Sequence, residues 1–288
     1  MSPLVKPAPT EVCSDGVARL PSPWAHALHK PVFIIFLLSY AVNLGALLLD
    51  ISLPQQWRWL DRVLWLLGAA SSAVGLARRL PEQNVFVSAI VIAAISTAIA
   101  VAGEKTGVPF GPRIYTDVLG AKILDLPWTV PLLWLAVIIN GRGVARLIMR
   151  PWRKTTYYGF WVIGLTCALS VVFDAGLEPF ATQVRRYWFW GARVSVLNWY
   201  AAPWVNFLGW FATTLGILGF TTPWLINKQP IKQPTDYHPL TLWLLLNAYF
   251  AAGNALQQLW PAVLFGFGAN LIAAIFAMRG APRQAALE

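Results

Sequence analysis

The amino-acid sequence predicts an all-α protein: a polytopic integral membrane helix bundle with about eight transmembrane helices. Three observations lead there. Of 288 residues, 57% are hydrophobic and only 12% are charged, where soluble domains carry roughly 25% charged residues. The apolar residues fall in long runs, each near the ~20 residues that a helix needs to cross a ~30 Å hydrocarbon core. The basic residues sit in short clusters between those runs. With a net charge of +10, that placement points to anchoring charge at a membrane surface and not to nucleic acid.

Residues 1–30 read as a polar tail, rich in Pro and Ser and holding His26 and His29, with no signal-peptide pattern. Eight candidate spans follow: 32–49, 59–77, 85–103, 127–148, 157–174, 203–226, 239–257 and 261–278. The second opens on Asp61 and Arg62, so its first turn is expected at the interface. The third, "VFVSAIVIAAISTAIAVAG", is the most uniform. The fifth is short. The last two form one uncharged stretch that is too long for a single span. "QQLWP" breaks it, because Pro261 lacks a backbone donor and cannot continue a helix. Helices fit better than strands, since these runs are continuous and not alternating. Residues 31–280 thus form one transmembrane domain, and 281–288 a short C-terminal tail.

Charge orients the spans. Eight crossings with the N-terminus inside place fourteen Lys and Arg on the inner side and eight on the outer. The positive-inside rule then puts both termini in the cytoplasm of a cell-membrane protein. Seven acids fall on the outer side: Asp50, Asp61, Glu104, Asp117, Asp125, Asp174 and Glu178. Ionisable groups beside apolar helices are costly and are site candidates by default. Glu104 ends the third span, and Asp117 follows in "YTDVLG". Asp174 and Glu178, in "DAGLEP", stand one helical turn apart and share a face. Each admits a plainer reading, as an interface charge or as a partner for Arg113, Lys105, Arg185 or Arg186. The aromatics Tyr187, Trp188, Trp190, Trp199, Tyr200 and Trp204 read either as an interfacial belt or as a cavity lining. Asn43, Asn140, Asn247, Asn254 and Asn270 fall in or near spans, where they suit helix packing.

Absences narrow the chemistry. The chain has three His and two widely separated Cys, Cys13 and Cys167, so no metal or disulfide framework follows. No phosphate loop or dinucleotide fingerprint is present. Acid–base chemistry on a hydrophobic molecule remains, or no chemistry at all.

The segments "GEKTGVPFGPRIYTDVLGAKILDLPWTVPLLW", "DAGLEP", "YWFW" and "AAPWVNFLGW" resemble the CruF-type carotenoid biosynthesis proteins, which are integral membrane carotenoid 1,2-hydratases and include bisanhydrobacterioruberin hydratase. The likeness covers roughly residues 85–225 and leaves out the first 30 residues and the run "NGRGVAR". It carries over to Glu104, Gly107, Tyr115, Asp117, Gly120 and Trp134 in one block. In the other it carries over to Asp174, Pro179, Trp188, Trp190, Pro203, Asn206, Gly209 and Trp210. The resemblance implies cofactor-free addition of water to the terminal double bond of a linear carotenoid, with no metal. The substrate is then a polyene dissolved in the lipid, reached through a long apolar tunnel open to the bilayer; the oligomeric state is left open. On this view Asp117 or Glu104 is the proton donor and Asp174, with Asn206, holds the water. Tyr115, Trp188, Trp190, Trp210 and Trp134 line the substrate, and glycines 107, 111 and 120 let the loop approach it closely. Two other readings stay open: a membrane terpenoid cyclase started by alkene protonation, and a non-catalytic carrier of lipids or isoprenoids.

Overall fold

A computed structural model describes residues 23–49, 51, 57, 59–191, 197–226 and 235–279. Among them the chain forms eight long helices, one for each apolar run: α1 (Pro23–Leu48), α2 (Trp59–Ala77), α3 (Glu82–Thr106), α4 (Val130–Ile148), α5 (Tyr158–Pro179), α6 (Trp204–Leu225), α7 (His238–Leu256) and α8 (Trp260–Arg279). The all-α membrane bundle expected from the sequence is the observed fold. Seven of these helices are long and apolar enough to cross a membrane. The other, α7, matches them in length but carries His238, Pro239, Asn247 and Asn254.

The first helix starts earlier than the sequence suggested. Residues 23–30, assigned to the polar tail, form its opening turns. Pro23 suits a first helical position, where its missing N–H is not needed. Trp24 Nε1 then donates to Glu82 at the start of α3 (2.8 Å). His26 and His29 therefore belong to a helix, and the His29 ring packs edge-on against His238 at 4.4 Å. Cys13, Asp50 and the tails 1–22 and 280–288 lie outside the described residues.

Helix directions alternate, so the bundle has two chemically distinct ends. One gathers the C-terminal ends of α2, α4 and α6 with the N-terminal ends of α5 and α7. There Arg78 and Arg79 clasp Asp236 (3.1 and 2.9 Å). The other gathers the C-terminal ends of α3 and α5 with the N-terminal ends of α4 and α6, and it holds Glu104, Asp117, Asp174 and Glu178. The core helix is α4, which touches α2, α3, α5, α7 and α8. Four of the five span asparagines join helices as expected. Asn43 donates to Leu60 O (3.3 Å), Asn140 to Ser72 Oγ (2.7 Å) and Asn254 to Gly176 O (2.9 Å), while Asn270 accepts from Trp243 Nε1 (2.7 Å). Such bonds hold membrane helices together where no hydrophobic force separates helix from lipid. Asn247 instead bonds within its own helix, to Trp243 O.

Short strands organise the acidic end. Two are β1 (Arg113–Tyr115), after α3, and β4 (Trp188–Trp190), after α5; they pair antiparallel with Arg113 opposite Trp190 and Tyr115 opposite Trp188. Between them in the chain run β2 (Lys122–Ile123) and β3 (Leu126–Pro127), a tight hairpin. A second small hairpin, β5 (Asn198–Trp199) with β6 (Ala202–Pro203), leads into α6. The end of α5 widens into a π-helical turn over Phe180–Val184 directly after Pro179, because proline cannot supply the usual backbone donor.

Candidate active site

The site is built from two connections and two helices. In a strand, alternate side chains share a face. The β1–β4 pair therefore turns Arg113, Tyr115, Trp188 and Trp190 inward and Ile114 and Phe189 outward, which matches their burial. Beneath this ribbon, α5 presents Asp174 and Glu178 one turn apart, and α6 presents Asn206. All three are buried, none more than 1% exposed.

Asn206 bridges the carboxyls. Its Nδ2 donates to Asp174 Oδ2 at 2.6 Å and to Glu178 Oε1 at 3.2 Å. The other oxygen of Glu178 accepts from two indoles, Trp188 Nε1 (3.2 Å) and Trp190 Nε1 (3.0 Å). Glu178 thus receives three donors and Asp174 one. Asp174 Oδ1 and Asn206 Oδ1 are buried without a partner. Most buried polar atoms are paired, so these two unfilled positions mark a place for a water or a reacting group.

Arg113 supplies the local positive charge. Its guanidinium carbon lies over four aromatic rings: Tyr115 (4.7 Å), Phe110 (5.1 Å), Trp188 (5.1 Å) and Trp190 (5.7 Å). A cation over such faces is attracted by the ring quadrupoles. Burial pushes the Tyr115 phenol up to about 12; Arg113 opposes the shift, and Glu104, Glu178 and Asp174 add to it. Arg113 and these three carboxyl groups therefore all lie within electrostatic reach of one neutral hydroxyl.

A second aromatic pair stands beside the carboxyls. Trp210, one turn along α6 from Asn206, stacks on Trp134 of α4 with ring centres 4.2 Å apart. Phe110 joins this pair to the Arg113 cage, at 6.3 Å from Trp134. Trp210 Nε1 is buried with no acceptor. Loop 107–112 reaches this position only because Gly209 lacks a side chain. A Cβ there would meet the Phe110 ring at 2.7 Å and the Pro109 carbonyl at 2.9 Å. Glycines 107, 111 and 120 all take positive φ, as close folding of the loop requires.

The structure brings together Tyr115, Asp174, Trp188, Trp190 and Asn206, with Trp134 and Trp210 adjoining. Glu104, in the last turn of α3, lies at the edge: its Oε2 is buried and unpartnered, and it joins no ion pair among the described residues. Asp117 is a correction. It opens a 3₁₀ turn capped by Thr116 and its side chain is exposed. Arg62 holds that turn to α2 through the Asp117 and Val118 carbonyls (3.0 and 3.1 Å). The strand ends at Tyr115, and the 3₁₀ turn that follows breaks the alternation and leaves Asp117 exposed. The plainer reading of Asp174 and Glu178 as partners of Arg185 also gives way, since Arg185 pairs with Asp61 at 3.5 Å. Asp61 is itself buried and accepts from Tyr187 Oη (3.0 Å), not spread at the interface. Trp134, Trp188 and Trp210 are each 2% exposed, so these rings are packed inside the bundle.

Two residues of the cluster were missing from the expected site set. Glu178 was visible as the i+4 neighbour of Asp174. Arg113 stands two residues before Tyr115 and so shares its strand face, a signal that needed the strand to be foreseen.

The fold and the site together define a polytopic membrane helix bundle with a buried carboxyl pair at one end. The chain belongs to the carotenoid biosynthesis protein family, whose sequence model matches residues 60–273, and so has a role in carotenoid biosynthesis. No curated protein and no solved structure matches it significantly.

Proposed function

We propose that the protein is a cofactor-independent carotenoid 1,2-hydratase, which adds water to the terminal C1–C2 double bond of a linear carotenoid end group. The observation that carries this reading is the Asp174–Asn206–Glu178 cluster, buried beside stacked Trp134 and Trp210. One proton shared by the two carboxyls, with Arg113 beside them, makes the cluster electrically neutral and tolerable inside the bundle. That proton rests on Asp174, because the three donors on Glu178 favour its anion. Asp174 transfers it to C2 of the alkene, leaving a tertiary cation at C1. A water oxygen bonds to C1, and a proton of that water returns to the carboxyl pair.

The aromatic roles divide. Tyr115, Trp188 and Trp190 already offer their faces to Arg113, so they position charge around the acid. Trp134 and Trp210 are the faces left for the developing cation. Cation–π attraction contributes ~0.5–2 kcal/mol per face, and each 1.36 kcal/mol is tenfold in rate. Glu104 stands by as a second acid at the rim. The substrate enters from the lipid once the ribbon or loop 107–112 parts. Both termini lie in the cytoplasm, since basic residues crowd the end that holds the start of α1 and the end of α8.

The test is expression in a host that accumulates lycopene, with mass analysis of the pigments. The expected product is heavier by one water per reacted end, with its oxygen drawn from labelled water. A product of unchanged mass would instead identify a cyclase, and no conversion would identify a carrier.

A further inference from the structure

We propose that the arginine-lined pocket at the opposite end of the bundle binds a phosphate group. The run "NGRGVARLIMRPWRK" puts Arg142, Arg146 and Arg150 four residues apart. They share one face of α4 and the turn that follows it. That face borders a partly open cavity of about 200 Å³ lined by α2, α4, the turn Arg150–Trp152 and the first residues of α5 and α7. Arg79, Arg142, Arg146, Arg150 and Arg153 all line it.

Charge balance argues for an anion. Asp236 is the one carboxylate among the described lining residues, and it is already engaged. Arg78 and Arg79 hold it, and the His238 backbone N–H donates to it at 3.0 Å. Arg142 is only 9% exposed, more than a turn inside the end of α4, and its Nη2 donates to a neutral partner, Leu225 O (2.8 Å). A guanidinium at that depth is costly unless an anion meets it. Arginines that merely anchored a helix end would point to the surface, as Arg146 and Arg153 alone would allow. Several guanidinium forks facing one space match a tetrahedral oxyanion, which accepts several charge-assisted bonds at once. The pocket wall also holds Asn140, whose Oδ1 is buried without a donor. A hydroxyl of a protonated phosphate or of a glycerol headgroup fills that need. The volume is below the ~300–1,000 Å³ of pockets for drug-sized ligands, which suits a headgroup or a small anion and not a polyene.

The phosphate can come from an anionic lipid or from solution, and the experiment separates these. Full-length protein in neutral detergent is titrated calorimetrically with inorganic phosphate and diphosphate at constant ionic strength. In parallel, lipid retained from discs containing phosphatidylglycerol and phosphatidylcholine is measured by native mass spectrometry. The variants are R142Q and the double variant R146Q/R153Q, whose two residues are exposed and tolerate change. Saturable binding of phosphate or diphosphate, weakened at least tenfold in the double variant, supports a soluble ligand. Selective retention of phosphatidylglycerol, lost in the double variant, supports a lipid. Binding of neither, or equal binding by wild type and double variant, overturns the proposal even if R142Q does not fold.

Discussion

The Asn206 carboxamide donates to Asp174 Oδ2 at 2.6 Å, tying α6 to α5 where the two carboxyls meet. The same nitrogen reaches Glu178, so one side chain sets the spacing of both acids. Replacing Asn206 with Leu removes both bonds and leaves buried acceptors short of a donor. At ~1–3 kcal/mol for each such loss and tenfold per 1.36 kcal/mol, N206L should lower hydrated product by at least about 30-fold. Pigment analysis normalised to the amount of folded membrane protein checks this.

Asp174 and Asp117 should separate cleanly. Asp174→Asn removes the proposed donor, and general acid catalysis contributes typically 10²–10⁴-fold, so product should fall by about that much. Asp117→Asn alters an exposed side chain and should leave product within about twofold. An equal loss in both variants would remove Asp174 from the donor's role.

Arg113 should not tolerate lysine. An ammonium cannot stack flat on the ring faces that hold the guanidinium. R113K is expected to lower both activity and melting temperature, activity by roughly tenfold if ~1.4 kcal/mol of the arrangement is lost. Parallel thermal melts and product assays measure this.

Gly209→Ala tests the close approach of loop 107–112. The new methyl would sit 2.7 Å from the Phe110 ring and 2.9 Å from the Pro109 carbonyl. Overpacking of this kind costs ~1–3 kcal/mol. The variant should melt lower than wild type, whereas Gly216→Ala, which meets nothing within 4 Å, should not.

Acid should loosen the Asp236 clasp. Burial opposes ionisation of this carboxyl, but the His238 N–H, Arg79 and Arg78 outweigh it and hold Asp236 below the usual carboxylate range. A folded-state value below the unfolded one contributes stability that is complete above the ordinary aspartate value, near 3.9. It is lost as pH falls through the lower folded value. Melting temperature should therefore drop more steeply below about pH 4 in wild type than in D236N, as a pH series of thermal melts would record.

The helices were legible because membrane spans announce themselves by length and apolarity. Span three, read as 85–103, differs from Glu82–Thr106 by a turn or less at each end. The missed boundary at Pro23 follows from the same logic, since His26, His29 and Lys30 made the first turns of α1 look polar. Asp174 with Asn206 was legible from residue type and resemblance together. Asp117 was misplaced because a sequence gives the spacing of an acid from a helix but not where a short strand stops and a turn begins. Only the pairing of β1 with β4, between segments distant in the chain, turned Tyr115 and Arg113 inward, and the 3₁₀ turn beyond the strand left Asp117 exposed.

That pairing also couples two parts of the chain mechanically. The connection leaving α3 and the connection leaving α5 are laced into one ribbon by Arg113–Tyr115 against Trp188–Trp190. Neither can swing without the other. A displacement that uncovers Glu178 must strip away its two indole donors and carry off the guanidinium held on the same rings.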